Sequence, residues 1–169
     1  MSILPPDQQL EILQRGVIEI VPKEDFLDKL KRSHEEQKPL RIKLGVDPTA
    51  PDVHFGFTVV MRKLRQFQDL GHHVILIVGD YTATVGDPSG KSSTRPRLSH
   101  DEVLENAKSY QEQFFKIVDR DKTEVVYNGD WFSRLTFDQT TKLMSQITVA
   151  KMLERQDFQN RYASGEPIS

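Results

Sequence analysis

Between Leu40 and Val78 the apolar period of the chain changes from strand to helix and back to strand, which restricts how the chain can fold. Leu40, Ile42, Leu44 and Val46 alternate with Arg41, Lys43 and Gly45, the period of two expected of a sheet. A helix is expected from His54 to Leu70, with Gly71 as its stop, and a second strand from Val74 to Val78. Two strands joined by a helix imply parallel pairing, because a parallel pair needs a long crossover, and chain chirality makes that crossover right-handed. The expected class is therefore α/β. The segment Pro48 to Phe57, PTAPDVHFGF, leaves the first strand and opens the helix. A backbone-lined, histidine-bearing loop is thus expected at a strand's carboxyl end, where α/β domains bind nucleotides.

A chain of 169 residues suits about one domain, large enough to bury roughly 70% of its unfolded surface without metal or disulfide staples. It has no cysteine, no apolar run near the ~20 residues that span a bilayer, and no signal-peptide pattern before Asp7. A soluble cytoplasmic protein with no membrane partner is the expectation. The net charge of -2 and sequence pI near 6.2 lack the basic balance of a dedicated nucleic-acid module, so any polyanion must be met by local patches.

Outside the central unit, Asp7 to Arg15 reads as a short helix stopped by Gly16, and Glu24 to Glu36 as a second helix, with Pro39 ending that stretch. After Gly79 comes a long glycine-containing loop, GDYTATVGDPSGKSSTRPR, of a length that is often functional. Ser99 with Glu102 forms a capping-box pattern launching a helix from His100 to about Val118. Thr123 to Tyr127 is a short strand closed by Asn128-Gly129. Thr136 with Gln139 repeats the capping pattern before a helix to about Gln146, and Thr148 caps a further helix from Val149 to about Tyr162.

The stretch Gly86 to Ser92, GDPSGKS, is not a P-loop. That motif needs four residues between its glycines so that consecutive amides wrap the phosphates; here there are three, and Pro96 interrupts any helix begun at Lys91. Asp87, in a glycine-flanked loop after an apolar strand, is placed to hold an ammonium group, or else is a turn residue before Pro88. Gly56 removes a side chain where a purine could approach the backbone, and the free amides of the helix N-terminus favour a phosphate to which His54 donates. Taken singly, His54 also reads as a packed first-turn histidine and Gly56 as a costly helix glycine.

Taken together, GVDPTAPDVHFGF and the later GDPSGK resemble the nucleotide-binding half of a class I aminoacyl-tRNA synthetase, specifically the tyrosyl-tRNA synthetases. The likeness extends from about Leu40 to the end of the chain, through LRQFQDLGHHVILIVGD and TVAKMLERQDF. The segment Pro48, Thr49, Ala50, Pro51, Asp52, Val53, His54, Phe55, Gly56 and Phe57 matches that family's HIGH region, and Lys43 marks the bacterial type with lysine where other tyrosyl enzymes have tyrosine.

The resemblance implies a Rossmann-like parallel sheet with flanking helices, the incomplete catalytic domain of a class I synthetase, plus a helical connective segment. It divides the chain into an N-terminal helical segment at 1–38, a nucleotide-binding half at 39–128 and a connective segment at 129–169. The implied activity is tyrosine-tRNA ligation: tyrosine carboxylate attacks the α-phosphate of ATP, and the tyrosyl group then passes to tRNA(Tyr). In that scheme Thr49 and His54 donate to the reacting phosphate, and Gly45, Asp47, Pro48, Gly56 and Phe57 shape the adenosine and adenylate pocket. Lys43 and Asp87 bind the amino acid, with Asp87 on its ammonium, while Lys91 and Arg95 are candidates for phosphate or tRNA contact. Magnesium enters with ATP, and no tightly bound cofactor and no protein metal site are expected.

Two departures bear on these expectations. The HIGH motif usually ends in histidine, and here Phe57 stands in that place; loss of a transition-state donor there would cost about 3 to 4 kcal/mol. No KMSKS-like sequence occurs, so the resemblance implies a truncated synthetase whose isolated chain has doubtful activity. Its last helices fall where the family dimerises, with Trp131, Phe132, Leu143, Met144, Ile147 and Met152 as apolar candidates for that contact or for ordinary core. The alternatives are a non-catalytic synthetase remnant that binds or dimerises, and a related class I ligase such as a tryptophanyl enzyme. A sheet lacking its later strands is expected to expose an edge and an apolar face.

Overall fold

The structure, a computed structural model, describes residues 2–85 and 98–168. Its centre is a three-stranded, wholly parallel sheet of β1 (Arg41–Val46), β2 (His73–Val78) and β3 (Thr123–Tyr127), in the order β1-β2-β3. Helix α3 (Phe57–Asp69) joins β1 to β2, and α5 (His100–Phe114) precedes β3. The middle strand takes the most apolar sequence, HVILIV, because it has neighbours on both edges.

One core holds the unit together. Val74, Leu76 and Val78 of β2 are buried with Met61 and Leu64 of α3 and Ala107 and Phe114 of α5. On β1, Arg41, Lys43 and Gly45 are exposed while Ile42, Leu44 and Val46 are half-buried against that core, so the alternation read from the sequence sets the covered face. Arg41 reaches Glu124 of β3 at 3.2 Å across the other face. Gln68, fully buried on α3, donates to the carbonyls of Asp119 and Lys122 and accepts from the Asp119 amide, fixing the turn that leads into β3.

A second, smaller core docks α1 (Pro6–Leu13) and α2 (Lys23–Glu35) beside α3, through Leu13, Leu30 and Leu70. Lys63 of α3 donates to the carbonyls of Leu13 and Arg15, satisfying the C-terminal end of α1, and partial burial pulls its ammonium below the ordinary lysine value. Behind α1, the buried His72 accepts from the Leu40 amide at Nδ1, and its Nε2 lies 2.7 Å from Gln9 Oε1.

The structure departs from the sequence expectations at five places. Helix α3 begins at Phe57 rather than His54, because residues 55–56 form a turn closed by the Phe57 amide on the His54 carbonyl. Helix α5 ends at Phe114 rather than near Val118. Within the expected long loop lies a short helix, α4 (Thr82–Val85), and Asn128-Gly129 opens another, α6 (Gly129–Phe132). The expected helix from Val149 to Tyr162 is two, α8 (Val149–Met152) and α9 (Gln156–Ser164). Arg155 is extended between them, its guanidinium paired with Asp157 in the first turn of α9 and laid over the Phe158 ring. Helix α7 (Phe137–Met144) does carry the Thr136/Gln139 capping box, as α5 carries that of Ser99 and Glu102.

Candidate active site

Strand register places the site. Val46, Val78 and Tyr127 are partners across the sheet, so the next residues, Asp47, Gly79 and Asn128, leave the carboxyl edge side by side. The ladder runs one step further through Gly79 N–H to the Val46 carbonyl and Asn128 N–H to the Val78 carbonyl, at 2.8 and 2.9 Å. Beyond it the side chains form a directed relay: Asn128 Nδ2 donates to Thr82 Oγ1 at 2.8 Å, and Thr82 Oγ1 donates to Asp47 Oδ1 at 2.7 Å. Asn128 Oδ1 accepts from the Tyr81 amide, and the buried Asp80 accepts from the Gly129 amide at 2.8 Å. Asp47 itself is exposed, so this relay holds a carboxylate at the surface of the sheet edge with one oxygen fixed. Such a group can receive an ammonium, amide or hydroxyl donor.

Two glycines allow the relay to close. A Cβ on Gly79 would lie 1.8 Å from Asp47 Oδ1 and 2.5 Å from Thr82 Oγ1, and one on Gly129 would lie 2.6 Å from Asp80 Oδ2. Any side chain at either position would displace the carboxylate that approaches it.

The second part is the loop from Asp47 to Gly56. Pro48 is buried and Thr49 half-buried, with the Thr49 amide donating to the Asp47 carbonyl at 2.8 Å. The exposed His54 ring folds back so that Nδ1 accepts from the Gly56 amide at 3.1 Å. With Nδ1 accepting, the neutral ring carries its proton on Nε2 and can donate it outward. A Cβ on Gly56 would lie 2.8 and 2.9 Å from that ring, so glycine here makes room for the histidine as well as leaving the backbone open. Phe57 meets the same ring edge-on, centroids 4.8 Å apart, and packs against the main core. It serves His54 as a wall, a contact that the motif alone did not reveal.

The expected free amides at the start of α3 are a correction. Phe57, Thr58 and Val59 donate to the carbonyls of His54, Phe55 and Gly56, and the Gly56 amide is taken by His54. The turn at 55–56 uses these donors internally, leaving the imidazole as the outward-facing donor of this group.

The structure thus brings Asp47, Pro48, Thr49, His54, Gly56 and Phe57 onto one loop at the carboxyl edge, with Lys43 and Gly45 exposed on the strand that feeds it. Ala50, Pro51, Asp52 and Phe55 are exposed members of the same loop, and Val53 is half-buried. Asp87, Lys91 and Arg95 lie outside the described residues. Sequence reading missed Gly79, Asp80, Thr82 and Asn128; the side-chain hydrogen bonds of the last three reach partners 35 to 49 positions away. The signal available was positional: each follows within a few residues of an apolar strand, where a parallel sheet gathers its loops.

Comparison with known proteins agrees with this geometry. Residues 35–169 match the model of the family described as tRNA synthetases class I (W and Y). The chain is 60% identical over 169 residues to a tyrosine-tRNA ligase of Carboxydothermus hydrogenoformans, covering 98% of this chain and 41% of that protein. It is 54% identical over 166 residues to a tyrosine-tRNA ligase of Thermotoga maritima, covering 98% of this chain and 40% of that one. The chain therefore spans about two fifths of the length of these curated relatives. Among solved structures, a C-terminally truncated mitochondrial tyrosyl-tRNA synthetase of Coccidioides posadasii superposes with a TM-score of 0.69 at 26% identity, over 98% of this chain and 47% of that one. A parallel sheet with its polar relay at the carboxyl edge, the histidine loop beside it and a family match over most of the length converge on one assignment: the chain belongs to the class I tRNA synthetases of the W and Y family.

Proposed function

We propose that the protein to which this chain belongs is a tyrosine-tRNA ligase, forming tyrosyl-adenylate from tyrosine and ATP and transferring the tyrosyl group to tRNA(Tyr). A tyrosine carboxylate oxygen bonds to the α-phosphorus while the bond to the leaving pyrophosphate breaks in line. Negative charge grows on the α-phosphoryl oxygens, so donors that fit the transition state better than bound ATP accelerate the step. His54 supplies one through Nε2–H, oriented by the Gly56 amide and backed by Phe57. Thr49 supplies a second from the same loop. Gly45, Asp47, Pro48, Gly56 and Phe57 line the adenosine and adenylate side.

Lys43 and Asp87 bind the amino acid, with Asp87 on its ammonium, while Thr82 and Asn128 hold the Asp47 carboxylate in place. Lys91 and Arg95 meet phosphate or tRNA. Magnesium comes with ATP and keeps most of its waters, so few protein carboxylates are needed. The enzyme is proposed to be cytoplasmic and without a membrane partner; among the described residues no helix is long and apolar enough to cross a membrane. A homodimer formed through the segment 129–168 completes the proposal.

The observation that carries the reading is the His54 ring, fixed at Nδ1 and open at Nε2, on a loop at the sheet's carboxyl edge in a chain of this family. In the complete gene product, His54→Ala lowers kcat for adenylate formation about 10²- to 10³-fold, the usual loss for one oxyanion-type donor, with the KM for tyrosine little changed. An unchanged kcat overturns the assignment.

A further inference from the structure

The loop from Pro48 to Val53 hangs beyond the sheet, and its backbone is not held by the ladder. It is held by one face of α5. Gln113 Oε1 accepts from the Val53 amide at 3.1 Å, and Gln113 Nε2 lies 3.3 Å from both the Pro51 carbonyl and Asp52 Oδ1. Ser109, one turn earlier on α5, accepts from the same Nε2 at 2.9 Å and steadies the amide. Asn106 Nδ2 donates to the Pro48 carbonyl at 3.2 Å. Asn106 and Gln113 are two helical turns apart and so face the same way. Together they pin the loop near both ends. A primary amide suits the second position because it offers an acceptor and donors at one reach, which neither a carboxylate nor an aliphatic side chain does.

We propose that Gln113, supported by Asn106, is a positioning residue for adenylate formation that acts through His54. The inference rests on the catalytic reading of His54 given above. Val53 immediately precedes the histidine, so holding its amide fixes the backbone from which the ring rises. The Gly56 amide then fixes the ring itself. Gln113 touches neither nucleotide nor amino acid in this scheme; it removes the freedom of the loop to drift from its reacting geometry. A displacement of about 1 Å at such a site can cost on the order of 10²-fold in rate.

The test is a double-mutant cycle in the complete gene product, read by steady-state adenylate formation. Gln113→Leu lowers kcat about tenfold to 10²-fold while the KM for tyrosine stays within about twofold. When His54→Ala is already present, the same change lowers kcat less than about threefold, because the group it positions is gone. Should Gln113→Leu fail to fold, the cycle is run with Gln113→Glu, which keeps the shape and the acceptor but loses the donors to Pro51 and Asp52. Full additivity of the two changes overturns the inference while leaving His54 catalytic. An unimpaired His54→Ala enzyme overturns both.

Discussion

Gly56 and His54 form a pair in which each explains the other: the glycine leaves the space the ring occupies, and its amide sets which ring nitrogen faces out. Gly56→Ala places a methyl group within 3 Å of the ring, and because His54 is exposed the ring can swing away at little cost in stability. Its kcat for adenylate formation is expected to fall toward that of His54→Ala while the thermal midpoint holds; kinetics and melting of the purified variant check both, and an unchanged kcat contradicts the pairing. At this scale the sequence was informative where chemistry is local. PTAPDVHFGF exposed the histidine, the glycine and their loop, since all lie within ten residues. The Asp47–Thr82–Asn128 relay was not legible, because its members are 35 and 46 positions apart and meet only through strand register. In the sequence Phe57 stands only for a missing donor; its contact with the His54 ring and the core is visible only in the packing.

Elements with a strong local signal came out as the sequence indicated: β1, β2 and β3, and the two capping boxes. Errors fell where a tertiary contact or an ion pair decides a boundary. The turn at 55–56 delays α3 because His54 folds onto the Gly56 amide, and Arg155 breaks a helix that periodicity alone would have continued. The docking of α1 and α2 illustrates a contact that periodicity only hints at. His72 sits between β2 and α1, buried beside Gln9 and the Leu40 amide, and burial pulls its pKa below the ordinary value of 6.5. The unfolded chain therefore takes up a proton near pH 6.5 that the native chain resists, so the native state loses stability as pH falls below that value and keeps it above. The thermal midpoint is expected to drop between pH 7 and about pH 5.5, and the drop should shrink in His72→Gln, whose side chain does not titrate. An equal drop in both proteins contradicts the assignment.

At the scale of the molecule, both helices that pack on the sheet contribute to one core, while Arg41, Lys43 and Gly45 of the edge strand stay exposed. From Gly129 to Ile168 no described residue is fully buried, although Met144 is 70% and Ile147 57% exposed. Trp131, Leu143 and Met152 are exposed as well, whereas Phe132 packs on Tyr81. An apolar surface of this kind needs a cover. In the proposed dimer a second copy supplies it, so the complete gene product should sediment at twice its chain mass and Ile147→Glu should shift it toward monomer; a protein that stays monomeric at high concentration removes the dimer from the account. The sequence indicated these apolar residues but could not tell surface from core, since that depends on what packs over them.

ATP–pyrophosphate exchange by the complete gene product decides whether tyrosine is the amino acid that the proposed enzyme activates. Exchange that depends on tyrosine, is not supported by tryptophan and collapses in His54→Ala is the expected result. Exchange driven by tryptophan, or none with either amino acid in a folded protein, contradicts it.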